Sequence, residues 1–163
     1  MQTESVQIGL WIDLLKEGQV RAHVTLSETE ESYTAIMLQR FILCSELTGI
    51  TLALEYLESQ AKNRTLKKST LGYAADAGLI LAGLFPERAK KKNVPVSYLT
   101  GMSQVCFFEL AQVCETMNHY KEAQQYHEVG RAVERLAYVL YCMRRKNSTI
   151  GELLPFIKPS TLH

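Results

Sequence analysis

The stretch that decides the fold is TLGYAADAGLILAGLF, residues 70–85, near the middle of this 163-residue chain. It holds four alanines, and Gly72, Gly78 and Gly83 lie within it. A glycine inside a helix costs about 1 kcal/mol relative to alanine. A sequence tolerates this cost where another backbone must come close. Residues 70–85 therefore predict a central helix that is packed on several sides.

The sequence on either side of this stretch predicts further helices. Ser27 and Glu30 form a capping box, in which each side chain satisfies a backbone N–H of the other residue. A polar turn at Asn118 and His119 separates two long helical patterns. The predicted helices span residues 28–44, 48–62, 70–85, 98–117 and 120–145, and a short helix begins at Thr149.

The N-terminal segment fits two patterns. In residues 5–17, SVQIGLWIDLLKE, the apolar residues suit one helix face but also alternate with period two. Residues 19–26, QVRAHVTL, alternate cleanly and predict an extended segment. A helix followed by an extended segment is the preferred interpretation, and a hairpin is the alternative.

The predicted fold class is a mainly α, single-domain bundle of five or six helices around residues 70–85. An extended segment or small hairpin is expected near residues 5–26. Within residues 1–163 we expect an N-terminal arm (1–26), a helical core (27–146) and a short C-terminal helix with a tail (147–163).

Composition excludes several classes of protein. Hydrophobic residues make up 47% and charged residues 21%, as in globular chains. No apolar run approaches the roughly 20 residues that cross a bilayer, and the first residues lack the basic character of a secretory signal. We therefore expect a cytoplasmic protein with no membrane partner and no cofactor. The cysteines form no C-x-x-C pair, which predicts buried free thiols: Cys44, Cys106, Cys114 and Cys142.

Charge is unevenly distributed along the chain. Residues 1–60 hold three basic and nine acidic residues, whereas residues 61–163 hold fifteen basic and eight acidic ones. Such asymmetry indicates complementary surfaces within the fold, self-association or an acidic partner. A predicted charged surface loop carries basic residues that could contact phosphates: Arg88, Lys90, Lys91 and Lys92. No recognition helix accompanies this loop, so the sequence argues against a nucleic-acid partner.

Asp76 is the strongest candidate for a polar site. Its helical position places the carboxylate in a close-packed contact, where an ionised group needs a partner. Arg40, the single cation in AIMLQRFIL, is the predicted partner in a bidentate pair. Hydrogen bonds from Tyr and Ser hydroxyls to Asp76 are the other structural interpretation. The alternative is a ligand-binding or catalytic pocket at Asp76, Tyr73 and Tyr98, with a raised carboxyl pKa.

A weak metal-binding pattern follows in the second half of the chain. Glu115, His119 and Glu122 would share one face of an unbroken helix. Their spacing matches neither H-E-x-x-H nor the paired E-x-x-H of di-iron bundles. The predicted turn at Asn118 also separates them. We therefore expect an ordinary charged turn and no metal. No nucleophile elbow or phosphate loop occurs, so no catalytic residue is predicted.

Two resemblances accompany these patterns. Residues 104–137 resemble one tetratricopeptide repeat, in the spacing of large and small residues and in YKEAQQY, which resembles the second helix. The match departs from the repeat at His127 and Gly130 and lacks the closing proline. It implies an antiparallel helical hairpin. The matched positions are Phe107, Leu110, Ala111, Cys114, Tyr120, Ala123 and His127.

Residues 53–99 resemble a set of bacterial helical proteins of unassigned activity. The shared segments are ALEYLES, LGYAAD, GLFPE and VPVSY. This resemblance implies a single bacterial helical domain and transfers no catalytic residue.

These observations predict a non-enzymatic, cytoplasmic interaction or regulatory protein that binds a protein partner or a second copy of itself. One alternative is a small-ligand-binding protein or enzyme with a pocket near Asp76. The other is weak nucleic-acid binding through the basic residues of 88–92.

Overall fold

The computed structural model describes residues 2–44 and 68–146. This part of the chain contains seven helices and no strand, so the predicted mainly α class is confirmed. The predicted helix over residues 48–62 and the C-terminal helix lie outside the described residues. The helices are α1 (Gln2–Ala22), α2 (Glu28–Cys44), α3 (Lys68–Leu84), α4 (Pro86–Lys91), α5 (Val96–Thr116), α6 (Tyr120–Arg131) and α7 (Val133–Lys146).

The preferred helix over residues 5–17 is confirmed, since these residues lie within α1. The extended segment predicted over residues 19–26 is wrong for residues 19–22, because α1 continues to Ala22, and the alternative hairpin is wrong because residues 5–26 contain no strand. Helix α1 packs against α7 and buries Leu15 and Gly18. Arg21 extends this contact by donating from Nη1 to the carbonyls of Cys142 and Met143, at 3.3 and 3.5 Å. The alternating apolar and polar residues of 19–26 are typical of a strand, but residues 19–22 belong to a helix that packs on α7.

Three helices end at a residue in the left-handed region. His23 follows α1 with φ 54°, Asn93 follows α4 with φ 57°, and Asn118 follows α5 with φ 62°. Asparagine adopts this conformation more readily than most other residues, which makes it a suitable helix terminator. The predicted turn at Asn118 is therefore confirmed.

The capping box at the start of α2 is also confirmed. The backbone N–H of Glu30 donates to Ser27 Oγ at 3.1 Å, and the backbone N–H of Ser27 donates to Glu30 Oε1 at 3.2 Å. The hydroxyl of Ser27 donates in turn to the carboxylate of Glu128 on α6. This last contact fixes the start of α2 against α6.

The predicted surface loop after residue 85 is wrong for most of its length, because residues 86–91 form α4. Pro86 stands at the beginning of this helix, where its missing N–H would have no helical partner in any case. Glu87 lies in the first turn, and basic residues occupy the last turn. Both placements suit the helix dipole.

The long helix predicted over residues 120–145 is two helices, which meet at Ala132. Beside the break, the carbonyl of Gly130 accepts a hydrogen bond from Gln104 Nε2 at 3.0 Å. A Cβ on Gly130 would lie 2.7 Å from a ring carbon of Phe108. Helix α6 can thus pack on α5 while α7 turns to meet α1 and α3.

Helix α3 packs against α4, α5 and α7. A Cβ on Gly78 would lie 3.1 Å from the carbonyl of Leu99, and one on Gly83 would lie 2.6 Å from Leu140 Cβ. Both glycines therefore permit the predicted close approach, whereas a Cβ on Gly72 would meet no atom within 4 Å. The buried residues of α3 are Leu71, Ala74, Ala75, Ala77, Gly78, Leu79, Ile80, Leu81, Ala82, Gly83 and Leu84.

Candidate functional site

Asp76 lies at the contact between α2 and α3, and both of its carboxylate oxygens are bonded. The hydroxyl of Tyr33 donates to Oδ1 at 2.7 Å. Arg40 Nη2 donates to Oδ2 at 3.0 Å, so the predicted Arg40–Asp76 pair is confirmed. The pair uses one guanidinium nitrogen rather than the predicted bidentate geometry, since Tyr33 occupies the second oxygen.

The electrostatics of this contact follow from burial. The side chain of Asp76 is 18% exposed, and burial raises its pKa from 3.8 to about 6, although Arg40 and Tyr33 oppose the rise. Burial and the neighbouring carboxylate raise the pKa of Tyr33 well above its ordinary value. Burial alone would lower the pKa of Arg40, but the charge of Asp76 raises it overall. The three groups therefore form one coupled polar contact, called here the Asp76 contact.

The partners of Asp76 come from α2 and not from the predicted residues Tyr73 and Tyr98, both of which are exposed. Tyr33 was missed as a site residue, although the sequence carries a signal for it. It precedes Arg40 by seven residues, and this spacing places both side chains on one helix face. The ring of Tyr33 also packs edge-on against Phe107, with centroids 5.6 Å apart.

The weak metal candidates do not converge. Glu115 pairs with His127, with Nε2 and Oε1 3.1 Å apart. His119 lies beside Glu122 at 3.7 Å, and Glu122 also accepts from Lys68 at 2.9 Å. Within residues 2–44 and 68–146, no group of three potential ligands surrounds a common point.

The cysteines are buried wherever their side chains are described, although Lys68 and Glu122 lie close to Cys114. Cys106, Cys114 and Cys142 are buried free thiols, as predicted. Burial, assisted by the charge of Glu109, raises the pKa of Cys106 to about 12. Burial likewise raises the pKa of Cys114. Thiolate chemistry is disfavoured at both positions.

The four basic residues of 88–92 do not form one surface. The guanidinium of Arg88 lies over the ring of Phe85 at 5.6 Å, and its Nε and Nη2 are buried. Burial lowers the pKa of Arg88. Lys90, Lys91 and Lys92 are all exposed, and Lys90 also lines a groove. The predicted basic cluster is therefore divided between Arg88, which makes an internal contact, and three solvent-exposed lysines.

This groove lies between α3, α4, α5 and α7 and has a volume of about 550 Å³. Its apolar lining includes the methyl groups of Ala82 and Ala137. Tyr138, which is 53% exposed, lines the groove together with Tyr141. We call this feature the tyrosine groove. Its lining residues are Ala82, Pro86, Glu87, Lys90, Val96, Ser97, Thr100, Glu134, Ala137, Tyr138 and Tyr141.

Charge in the tyrosine groove is only partly paired. Glu87 accepts from Arg144 Nη2 at 2.5 Å. Burial raises the pKa of Glu87, but the bond from Arg144 and the charges nearby reverse this effect and lower it overall. Lys90 and Glu134 also line the groove, and neither has an ion-pair partner within the described part of the chain.

Sequence analysis missed this groove because its walls come from four separate helices. The available signal was the pair Tyr138 and Tyr141, which lie three residues apart and so share a helix face.

Comparison with protein-family models, curated protein sequences and solved structures gave no match. Within the described ranges, every helix is too short or too polar to traverse a lipid bilayer.

Proposed function

We propose that this protein is a non-enzymatic binding protein, which recognises a segment of a protein partner through the tyrosine groove. The observation that carries the proposal is an exposed tyrosine, Tyr138, beside an open groove with an apolar lining. Tyrosine is enriched at protein interfaces because its ring buries a large apolar area while its hydroxyl keeps a polar partner. Small pockets of this kind hold the anchor residues of interfaces.

Charge at the groove supports binding rather than catalysis. Glu87 is held by Arg144, and the methyl groups of Ala82 and Ala137 do not take part in chemistry. The volume of about 550 Å³ would hold a few side chains of a partner segment.

The Asp76 contact is a weaker candidate for the alternative ligand pocket. Both oxygens of Asp76 are bonded to the protein itself, so a ligand would have to displace Tyr33 or Arg40. A raised carboxyl pKa is typical of structural contacts as well as active sites. Nucleic-acid binding through residues 88–92 is also weaker, because Arg88 is engaged with Phe85.

We place the protein in a reducing cytoplasm, which suits its buried free thiols. We keep it as one bacterial helical domain arranged around α3, with α5 and α6 as a tetratricopeptide-like hairpin. The packing of α6 on α5 supports that hairpin.

The test is selection from a displayed library of random short peptides against the intact chain. Binding peptides should lose affinity roughly tenfold or more on Tyr138→Ala, as is typical of an anchor residue. Ser97→Trp, a change at an exposed lining residue, should block the groove. Tyr120→Ala is the matched control, since Tyr120 is 64% exposed but does not line the groove. Peptides that bind all variants equally, or a selection that yields none, would refute the proposal.

A further inference from the structure

The unpaired charges of the tyrosine groove restrict what can occupy it. Ion pairs elsewhere in the described residues bring opposite charges together, including Glu87 with Arg144 beside this groove. Among the described residues, neither Lys90 nor Glu134 has an ion-pair partner, although both line the tyrosine groove. Lys90 belongs to α4, and Glu134 lies in the first turn of α7. The groove therefore presents one positive and one negative charge from different helices, neither of them held in an ion pair within the described residues. The charge of Lys90 acts on Glu87 of the same helix and helps to lower the Glu87 pKa.

The groove also has an apolar lining, which an occupant must match in addition to the two charges. Ala82, Val96 and Ala137 contribute aliphatic groups to the lining, and the rings of Tyr138 and Tyr141 add aromatic surface. An occupant gains most by burying one apolar side chain here, at roughly 25 cal/mol for each Å² removed from water.

The dimensions indicate how such an occupant would be built. The lining residues of α7 run from Glu134 to Tyr141, a distance of about 10 Å at the helical rise of about 1.5 Å per residue. A peptide covers this distance with about three extended residues or two helical turns. One short segment can therefore carry an anchor and both complementary charges.

Resting on the proposed function, we infer that the groove binds a partner segment which carries an apolar anchor, a Lys or Arg facing Glu134, and an Asp or Glu facing Lys90. Charge complementarity favours this segment over one with the two charges exchanged, because each exchanged charge would lie against a like charge. An uncharged segment would lack both attractions. The paired charges set the direction of the segment, and the anchor supplies most of the affinity.

The test uses the peptides selected on the wild-type chain. Their shared sequence should contain one apolar, one basic and one acidic position. The variants Lys90→Glu and Glu134→Lys, combined to preserve net charge, should weaken binding by roughly tenfold, because two attractive pairs become repulsive. A peptide with its acidic and basic positions exchanged should recover the lost affinity on the double variant.

The matched control is Lys92→Glu combined with Glu28→Lys, which makes the same charge changes at exposed positions outside the groove. This control should leave binding unchanged, and circular dichroism should show that both double variants fold. Binding that requires Tyr138 but ignores the charge reversal overturns this inference and leaves the proposed function standing. Binding that does not require Tyr138 overturns both. Light scattering that shows groove-dependent dimers identifies a second copy as the occupant and also overturns the inference.

Discussion

The Asp76 contact and the tyrosine groove differ in whether their charged side chains are bonded within the protein. At the Asp76 contact, a carboxylate that is mostly withdrawn from water receives bonds from Tyr33 and Arg40. At the groove, Lys90 and Glu134 stay in solvent without ion-pair partners in the described residues. The first region satisfies its polar groups internally, whereas the second leaves them available.

This difference shows why a perturbed pKa alone is a poor guide to function. Burial raises the pKa of Asp76, yet both of its carboxylate oxygens already accept hydrogen bonds from groups of α2. A buried charge that is bonded in this way belongs to the structure. The groove combines apolar surface with exposed charges that are not ion-paired within the described residues, and this combination favours a partner.

The largest expected effect is at the Asp76 contact, where the free energy of unfolding should depend on pH. Asp76 has a folded-state pKa of about 6 against 3.8 for the free side chain. Its contribution to stability is complete below about pH 4 and is lost as pH rises through about 6, since the folded state holds its proton more tightly. The loss amounts to about 3 kcal/mol. Urea unfolding across this range should show it in the wild-type chain.

Asp76→Asn is the control for that experiment, because it keeps the shape of the side chain and cannot titrate. Its stability should vary less between about pH 4 and 6 than that of the wild type. Parallel curves of unfolding free energy against pH for the two proteins would contradict a raised pKa of Asp76 in the folded protein.

A substitution at the close contact between α3 and α7, beside the groove, should change stability almost as much. Gly83→Ala places a Cβ 2.6 Å from Leu140 Cβ and 3.0 Å from the carbonyl of Ala137, a groove residue. Overpacking of this kind should lower the free energy of unfolding by about 2 kcal/mol. Gly72→Ala, where the new Cβ meets open space, should instead raise it by up to about 1 kcal/mol. Equal effects of the two changes in denaturant unfolding would contradict the close approach of α3 and α7.

Removal of the cation from the Asp76 contact should have a smaller effect. Arg40 is 54% exposed, so solvent screens the pair, and Arg40→Leu should cost about 1 kcal/mol at neutral pH. In a double-mutant cycle the same change should cost less when Asp76 is already Leu. Strictly additive losses would show that the two charges do not interact.

Truncation of the exposed groove tyrosine should have the smallest effect on stability. Tyr138→Ala should change the free energy of unfolding by less than about 0.5 kcal/mol, as is usual at the surface. Thermal unfolding beside Tyr120→Ala provides the measurement and its control. A substantially larger loss of unfolding free energy for Tyr138→Ala than for Tyr120→Ala would show that the Tyr138 ring is part of the core and not an accessible groove residue.

The local patterns of the sequence predicted much of this molecule. The Ser27–Glu30 capping box, the turn at Asn118 and the glycine-bearing helix each depend on residues close together in the chain. The Arg40–Asp76 pair was also predictable, because a lone cation and a lone anion in apolar helices each need a partner.

Other features required the tertiary structure. Residues 19–22 form the last turn of α1, which contacts α7, and local alternation carries no information about that partner. The break at Ala132 has the same kind of origin, since α6 and α7 have different neighbours. Helix α4 was not predicted, because a charged hexapeptide that begins with a proline resembles a loop.

The sequence by itself determined that the described part of this chain is mainly helical, the approximate bounds of α2, α3 and α5, and that Asp76 would be paired within the protein. These properties follow from backbone capping, residue spacing and the cost of an unpaired buried charge. Only the tertiary structure decided that Tyr33 completes the Asp76 contact and that four helices enclose the tyrosine groove. Such features depend on relative helix positions, which arise from contacts between residues far apart in the chain.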